Sequence, residues 1–190
     1  MNLPNKLTLS RVILVPVFVV LLMCPFVPFG NLWALLVFAV ASVTDLLDGK
    51  IARKYNLVTN FGKFMDPLAD KLLVCSALIC LISAGSVSIH VPTWIVLIII
   101  GREFIISGFR LVASDNGLVI AANMWGKVKT AVTMVMICFV VADLGNLFGI
   151  SSFANIYYWF CQVLIYASLL LTVISLVVYL YDNRSVIKDM

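Results

Sequence analysis

The chain has 190 residues, of which 63% are hydrophobic and only 12% charged, and its mean hydropathy is +1.13. These values lie far outside the usage of soluble globular domains and exclude an ordinary soluble protein. The net charge is +4, and we expect one all-α integral membrane domain that takes up residues 1–190.

Six stretches are long and apolar enough to cross a membrane, which takes about 20 mostly apolar residues per helix. In chain order they are residues 7–27, 32–55, 66–84, 92–113, 124–145 and 156–181. The connections between them are short, so no room remains for a soluble domain. The sequence therefore predicts six transmembrane helices.

Basic residues are confined to alternate connections. Residues 24–31, 84–91 and 143–155 contain neither Lys nor Arg, and all 13 basic residues lie elsewhere. Because Lys and Arg are enriched in cytoplasmic connections, we expect both termini and the second and fourth connections to be cytoplasmic. The positive charge of this face attracts anionic headgroups or phosphates, although some of its lysines serve topology alone.

Cysteine and histidine offer little chemistry. The five cysteines lie in apolar runs without a Cys-x-x-Cys pair, so we expect them to pack between helices rather than to form disulfides or bind zinc. His90, the only histidine, lies beside Pro92 on the predicted outer side. Any proton transfer on the cytoplasmic side is therefore expected to use a carboxylate.

Four aspartates lie within 26 residues, where the second helix ends and the third begins: Asp45, Asp48, Asp66 and Asp70. An ionised group at membrane depth costs roughly 2.5 to 3.5 kcal/mol, so these carboxylates must face water, partners or metal. At about 100° per residue, the first two share one stripe and the last two share one face of the next helix. A helical hairpin can therefore bring all four together.

Closely packed carboxylates repel one another unless cations neutralise them. Oxygen ligands without His or Cys favour Mg²⁺ or Mn²⁺, and two such ions balance four negative charges. Gly49 and Ala52 lie on the stripe of Asp45 and would let a nucleotide or pyrophosphate approach the helix, and Arg53 can pair with a phosphate. Helix packing and snorkelling explain these three residues singly, but not the whole spacing.

The pattern Asp-x2-Asp-Gly-x2-Ala-Arg-x8-Gly-x3-Asp-x3-Asp, from Asp45 to Asp70, resembles the signature of the CDP-alcohol phosphatidyltransferases, and every fixed position matches. The resemblance implies a six-helix, homodimeric membrane enzyme that moves a phosphatidyl or similar group from a CDP-linked donor to an alcohol and releases CMP. It implies that two Mg²⁺ or Mn²⁺ ions are held by the four aspartates, and that Asp70 is also the general base. The CDP-diacylglycerol site implied by the resemblance comprises Asp45, Asp48, Gly49, Ala52, Arg53, Gly62, Asn5 and Thr8.

Three other segments indicate the acceptor alcohol. The runs Pro4 to Arg11, Gly101 to Arg110 and Gly126 to Thr130 resemble bacterial members of the family that use glycerol 3-phosphate and make phosphatidylglycerophosphate. The implied location is the bacterial cytoplasmic membrane, with the site facing the cytoplasm. Inositol phosphate, serine and phosphatidylglycerol remain alternative acceptors. A small cation transporter is disfavoured because the Asp pattern has no second copy and the outer halves of the helices carry almost no charge.

Four basic residues on the same predicted face could bind an acceptor phosphate: Arg102, Arg110, Lys127 and Lys129. On a regular helix the two arginines are about 80° apart, but the two lysines are about 200° apart, so both lysines cannot face one site. We favour Arg110 and Lys127 as phosphate ligands. We expect Glu103 to pair with Arg102 in a structural role.

Overall fold

The computed structural model describes residues 3–24, 26–54, 60–115, 123–148 and 150–184; within these ranges the side chains of 3–6, 45–54, 60–64, 66–67, 70 and 114–115 lie outside the description. The described part is helical, without β-strands, as predicted. Its helices are α1 Leu3–Met23, α2 Gly30–Lys54, α3 Asn60–Cys80, α4 Thr93–Asp115, α5 Met124–Ala142, α6 Leu144–Phe148 and α7 Ser151–Asp182.

The predicted helices are found, but several of their ends were wrong. The first helix covers Leu3–Met23 rather than 7–27; it continues through Pro16 and ends before Cys24, which precedes Pro25, a common place for a helix to end. The third begins at Asn60 rather than at 66, because polar residues continue a helix past the apolar stretch that hydropathy detects.

The chain between α5 and α7 also differs from the prediction. The fifth helix ends at Ala142 rather than 145, because Asp143 adopts the left-handed conformation, with φ 45° and ψ 45°, and its N–H donates to the carbonyl of Phe139. The last helix begins at Ser151 rather than 156, and the five-residue α6 lies between them unpredicted. A helix of five residues is far shorter than the roughly 20 apolar residues of a membrane span, so hydropathy does not reveal it.

The helices form one bundle. α1 packs against α2 and α3, α5 packs against α7 and α2, and α4 contacts α7 and α3. Aromatic and aliphatic side chains fill the core, and the rings of Phe18 and Phe38 lie 5.8 Å apart between α1 and α2. The two helices that carry the Asp motif, α2 and α3, therefore both pack against α1.

Polar and apolar residues are distributed as in a membrane protein. Large apolar side chains point outward along the helices, Ile156 being 70% and Leu97 66% exposed, whereas Thr133, Ser168 and Thr172 are fully buried. Soluble proteins rarely expose such extended apolar surface. Within the described residues, the stretches Met124–Phe148 and Ser151–Asp182 are long and apolar enough to cross a membrane. The total of six spans stays a prediction.

The three connections without basic residues lie together at one end of the bundle, as predicted. The hydroxyl of Ser86 donates to the carbonyl of Leu22, and the Asn31 side chain donates to a carbonyl at the end of α5, 3.2 Å away. The backbone N–H and the hydroxyl of Ser88 each donate to the carboxylate of Asp143 at 2.7 Å. We call this the Asp143 end; the described ends of α2 and α4 and starts of α3 and α5 belong to the opposite end.

Candidate active site

The Asp motif lies on two neighbouring helices, near the end of α2 and the start of α3. Asp48 precedes the end of α2 by six residues and Asp66 follows the start of α3 by six, which is about 9 Å in each case. Asp45 and Asp70 lie about 14 and 15 Å from those ends. α2 and α3 contact each other, and the pairing of the two halves of the motif stays a prediction.

The remaining predictions for this motif concern side chains outside the described residues. This holds for the four carboxylates and for Asn5, Gly49, Ala52, Arg53 and Gly62, whose helical backbones alone are described. Among the described side chains, no group of three or more His, Cys, Asp or Glu could hold a metal ion. Metal and nucleotide binding at the motif thus stay predictions.

The helix beside the cluster contributes two buried polar residues. Thr8 and Arg11 of α1 are three residues apart, hence on one helix face, and both are completely buried. α1 packs against α2 and α3, which carry the aspartates. Thr8 was predicted to take part in donor binding. Arg11 was named only as the end of the run Pro4 to Arg11, and its spacing from Thr8 was the signal for a buried role.

A buried ion cluster connects α4 and α5. The predicted pair of Arg102 and Glu103 is confirmed, with Nη1 donating to Oε1 at 3.0 Å. Lys129 Nζ donates to the same oxygen at 2.6 Å, a contact that sequence did not predict. Arg102 and Lys129 are buried, and Nε of Arg102 also donates to the Ser175 hydroxyl of α7 at 3.1 Å. Two cations share one carboxylate, so the cluster carries one excess positive charge.

The two favoured phosphate ligands are exposed instead. Lys127 lies on the exposed side of α5 while Lys129 points into the bundle, so the two lysines face different directions as predicted. Arg110 is also exposed, and its guanidinium carbon lies 5.5 Å from the ring centre of Tyr179. Stacking of this kind restricts an arginine without neutralising it. Arg110 and Lys127 are thus accessible to an anion.

Sequence reasoning missed the contribution of α7. Ser168, Thr172, Ser175 and Tyr179 are all buried and follow one another at intervals of four, three and four residues. This spacing places them on one helix face, and it is the signal that could have revealed them. Through Ser175 and Tyr179 this face contacts both arginines of α4.

All five cysteines are free thiols, with Cys80 and Cys161 buried in the bundle. His90 lies between α3 and α4, where its Nε2 is 3.2 Å from the carbonyl of Ala84. This connection belongs to the Asp143 end, away from the start of α3 that carries Asp66.

Comparison with known proteins finds extended similarity. Residues 1–174 match the family model of CDP-alcohol phosphatidyltransferase. A CDP-diacylglycerol–glycerol-3-phosphate 3-phosphatidyltransferase of Bacillus subtilis is 41% identical over 199 aligned residues, covering 98% of this chain and 97% of the relative. The chain is 36% identical to a protein of the same name from Haemophilus influenzae, covering 99% and 96%. A relative of that name from Rickettsia bellii is 41% identical over 70% of this chain and 71% of its own length.

Proposed function

The chain belongs to the CDP-alcohol phosphatidyltransferase family, and we propose that it transfers the phosphatidyl group of CDP-diacylglycerol to glycerol 3-phosphate. The products are phosphatidylglycerophosphate and CMP, the reaction of a phosphatidylglycerophosphate synthase. The observation that carries this proposal is the complete Asp motif within a chain aligned along almost its whole length with relatives named for this reaction.

The donor set suits a divalent metal, as is general for the family. The motif supplies four carboxylates and neither His nor Cys, and its halves lie on α2 and α3, which contact each other. Such oxygen donors suit Mg²⁺ or Mn²⁺, and Asp45, Asp48, Asp66 and Asp70 would hold two ions. When bound, the ions supply Lewis-acid stabilisation of the charge on the attacking and leaving oxygens.

The reaction is a displacement at the phosphorus that carries diacylglycerol. The primary hydroxyl oxygen of glycerol 3-phosphate forms a bond to this phosphorus, and the bond to the bridging pyrophosphate oxygen breaks. CMP leaves with that oxygen, and Asp70 takes the hydroxyl proton as general base. Gly49, Ala52, Arg53 and Gly62, with Asn5 and Thr8, hold the CDP portion of the donor. Catalysis rests mostly on placement and electrostatics.

The acceptor phosphate binds at the exposed cations. Arg110 offers a planar fork of donors, and Lys127 offers a mobile point charge. Both are exposed, whereas Arg102 and Lys129 are buried and paired with Glu103, and we propose that their remaining N–H donors complete the phosphate site from inside the bundle. A neutral or zwitterionic acceptor would need less positive charge than these four residues provide.

The membrane arrangement follows from the charges. We propose six spans in the bacterial cytoplasmic membrane, with both termini, the Asp cluster and the four cations on the cytoplasmic side and the Asp143 end outside. The absence of Lys and Arg from the three connections at the Asp143 end supports this orientation. We further propose that the enzyme is a homodimer, as the family resemblance implies.

The acceptor is tested with purified protein, CDP-diacylglycerol and Mg²⁺ or Mn²⁺. Glycerol 3-phosphate, inositol phosphate, serine and phosphatidylglycerol are offered separately, and CMP and the lipid product are measured. We expect product with glycerol 3-phosphate; activity only with another acceptor refutes the assignment. In a second arm, Asp70→Asn protein that still binds metal should release almost no CMP, and normal release would exclude the base role.

A further inference from the structure

We propose that Glu103 is a positioning residue for the acceptor, which fixes Arg102 and Lys129 in one arrangement, and that Gly126 leaves the space that Arg102 needs. The inference rests on the proposed function, because it assigns this ion cluster to the side of the site that binds the acceptor phosphate. Glu103 itself does not contact substrate; it acts through the two cations.

One carboxylate oxygen of Glu103 is shared by Arg102 and Lys129. Glu103 Oε1 accepts from Arg102 Nη1 at 3.0 Å and from Lys129 Nζ at 2.6 Å, which joins a cation of α4 to a cation of α5. Ser175 of α7 accepts from Nε of Arg102 at 3.1 Å and restricts the other edge of the guanidinium. Two buried cations repel each other, so their common arrangement depends on the anion between them.

Arg102 and Lys129 keep further N–H donors after they have bound Glu103. An arginine has five N–H donors and an ammonium has three, and Glu103 takes one from each residue. A phosphate oxygen can therefore use other donors of the same two groups once Glu103 has oriented them. Preorganised donors of this kind bind an anion without the cost of ordering long side chains.

Gly126 lies in the first turn of α5. A Cβ atom at this position would lie 3.2 Å from Nη2 of Arg102, closer than ordinary van der Waals contact. The absence of a side chain at 126 therefore gives the guanidinium its place between α4 and α5. At Gly108 of α4, by contrast, a Cβ would meet nothing within 4 Å.

The direction in which Glu103→Gln changes the KM for glycerol 3-phosphate distinguishes positioning from a simple effect of charge. Glu103→Gln removes a negative charge beside the acceptor site, which by charge alone would strengthen binding of an anion and lower its KM. Positioning predicts the opposite, because the two cations lose their common partner. A misplacement of about 1 Å can cost on the order of 100-fold, so we expect the KM for glycerol 3-phosphate to rise about 10-fold or more.

Gly126→Ala moves Arg102 without changing any charge, and Gly108→Ala is its matched control on a helix. Both changes favour helix formation by about 1 kcal/mol. The assay measures KM for each substrate, kcat per folded molecule and the Tm in the same detergent. We expect Gly126→Ala to raise the KM for glycerol 3-phosphate several-fold but not the KM for CDP-diacylglycerol, and Gly108→Ala to leave both unchanged.

The results distinguish the inference from the proposed function. If Glu103→Gln lowers the KM for glycerol 3-phosphate, or if Gly126→Ala leaves that KM unchanged, Glu103 does not position the acceptor side. The same holds if both variants change only the Tm, because the cluster would then be purely structural. Wild-type protein that releases no CMP with glycerol 3-phosphate refutes the proposed function, and the inference falls with it.

Discussion

The contact between Asp143 and Ser88 gives a stability prediction that is independent of catalysis. The Asp143 side chain is 1% exposed and accepts two hydrogen bonds of 2.7 Å, from the backbone N–H and the hydroxyl of Ser88. These bonds tie the connection after α3 to the turn after α5. Asp143→Ala removes both bonds and leaves alanine in the left-handed conformation.

The loss in free energy of unfolding is the sum of two hydrogen bonds and one backbone contribution. Hydrogen bonds to a charged group contribute about 1.5 to 3 kcal/mol each, and the lower value applies because Ser88 is exposed and can bind water instead. The left-handed conformation at φ 45° costs alanine roughly a further 1 kcal/mol. The sum is about 4 kcal/mol, which corresponds to a fall in Tm of roughly 8 to 16 °C for a chain of this size.

Thermal unfolding in detergent, followed by tryptophan fluorescence, measures this effect. Ser88→Ala loses only the hydroxyl bond and should lower the Tm by roughly 3 to 6 °C. Asp143→Asn tolerates the left-handed conformation and should lie between the wild type and Asp143→Ala. Because the contact is at the Asp143 end, kcat per folded molecule should not change. At this chain length, 1 kcal/mol corresponds to about 2 to 4 °C in Tm. An Asp143→Ala protein whose Tm lies within about 2 °C of the wild type would therefore show that the two hydrogen bonds contribute little to stability.

Lys127→Met should raise the KM for glycerol 3-phosphate about 10-fold at unchanged Tm, since an exposed substitution usually changes stability by less than about 0.5 kcal/mol. Lys129→Met should instead destabilise the fold by about 1.5 to 3 kcal/mol, because a buried hydrogen bond between charged groups is lost while Glu103 keeps its bond to Arg102; equal Tm values for the two variants would contradict this contrast. Gly145→Ala should cost about 1 to 3 kcal/mol in denaturant or thermal unfolding, because its Cβ would lie 3.1 Å from Ala154 and 3.3 Å from Tyr157; a stability equal to wild type would show that α6 can shift. EDTA should abolish CMP release, and Mg²⁺ or Mn²⁺ should restore it; full activity after complete chelation would exclude a role for the metal.

Local spacing predicted the parts of the fold that depend on one or two neighbouring helices. The Asp motif required only helical periodicity and a short connection, and its halves do lie on neighbouring helices, α2 and α3; the pairing of the carboxylates stays a prediction. The opposite directions of Lys127 and Lys129 follow from the same periodicity. The distribution of basic residues identified which connections share an end, because it reflects insertion into the membrane rather than packing.

Contacts between distant segments could not be predicted in the same way. Lys129 lies 26 residues after Glu103, and Asp143 lies 55 residues after Ser88. Each pair meets only because the bundle brings particular helices together, and no periodicity within one helix encodes that choice. The burial of Arg11 was not predicted for a related reason: it depends on the packing of α1 against α2 and α3.

In the proposed reaction the primary hydroxyl oxygen of glycerol 3-phosphate attacks the phosphatidyl phosphorus and becomes the bridging oxygen of the new phosphodiester. Glycerol 3-phosphate carrying ¹⁸O in its primary hydroxyl, incubated with CDP-diacylglycerol and the purified protein, tests this claim by mass spectrometry of both products. We predict that the label is retained in the new phosphodiester of phosphatidylglycerophosphate and that CMP is unlabelled. Label in CMP, or its loss from the lipid product, would contradict the account.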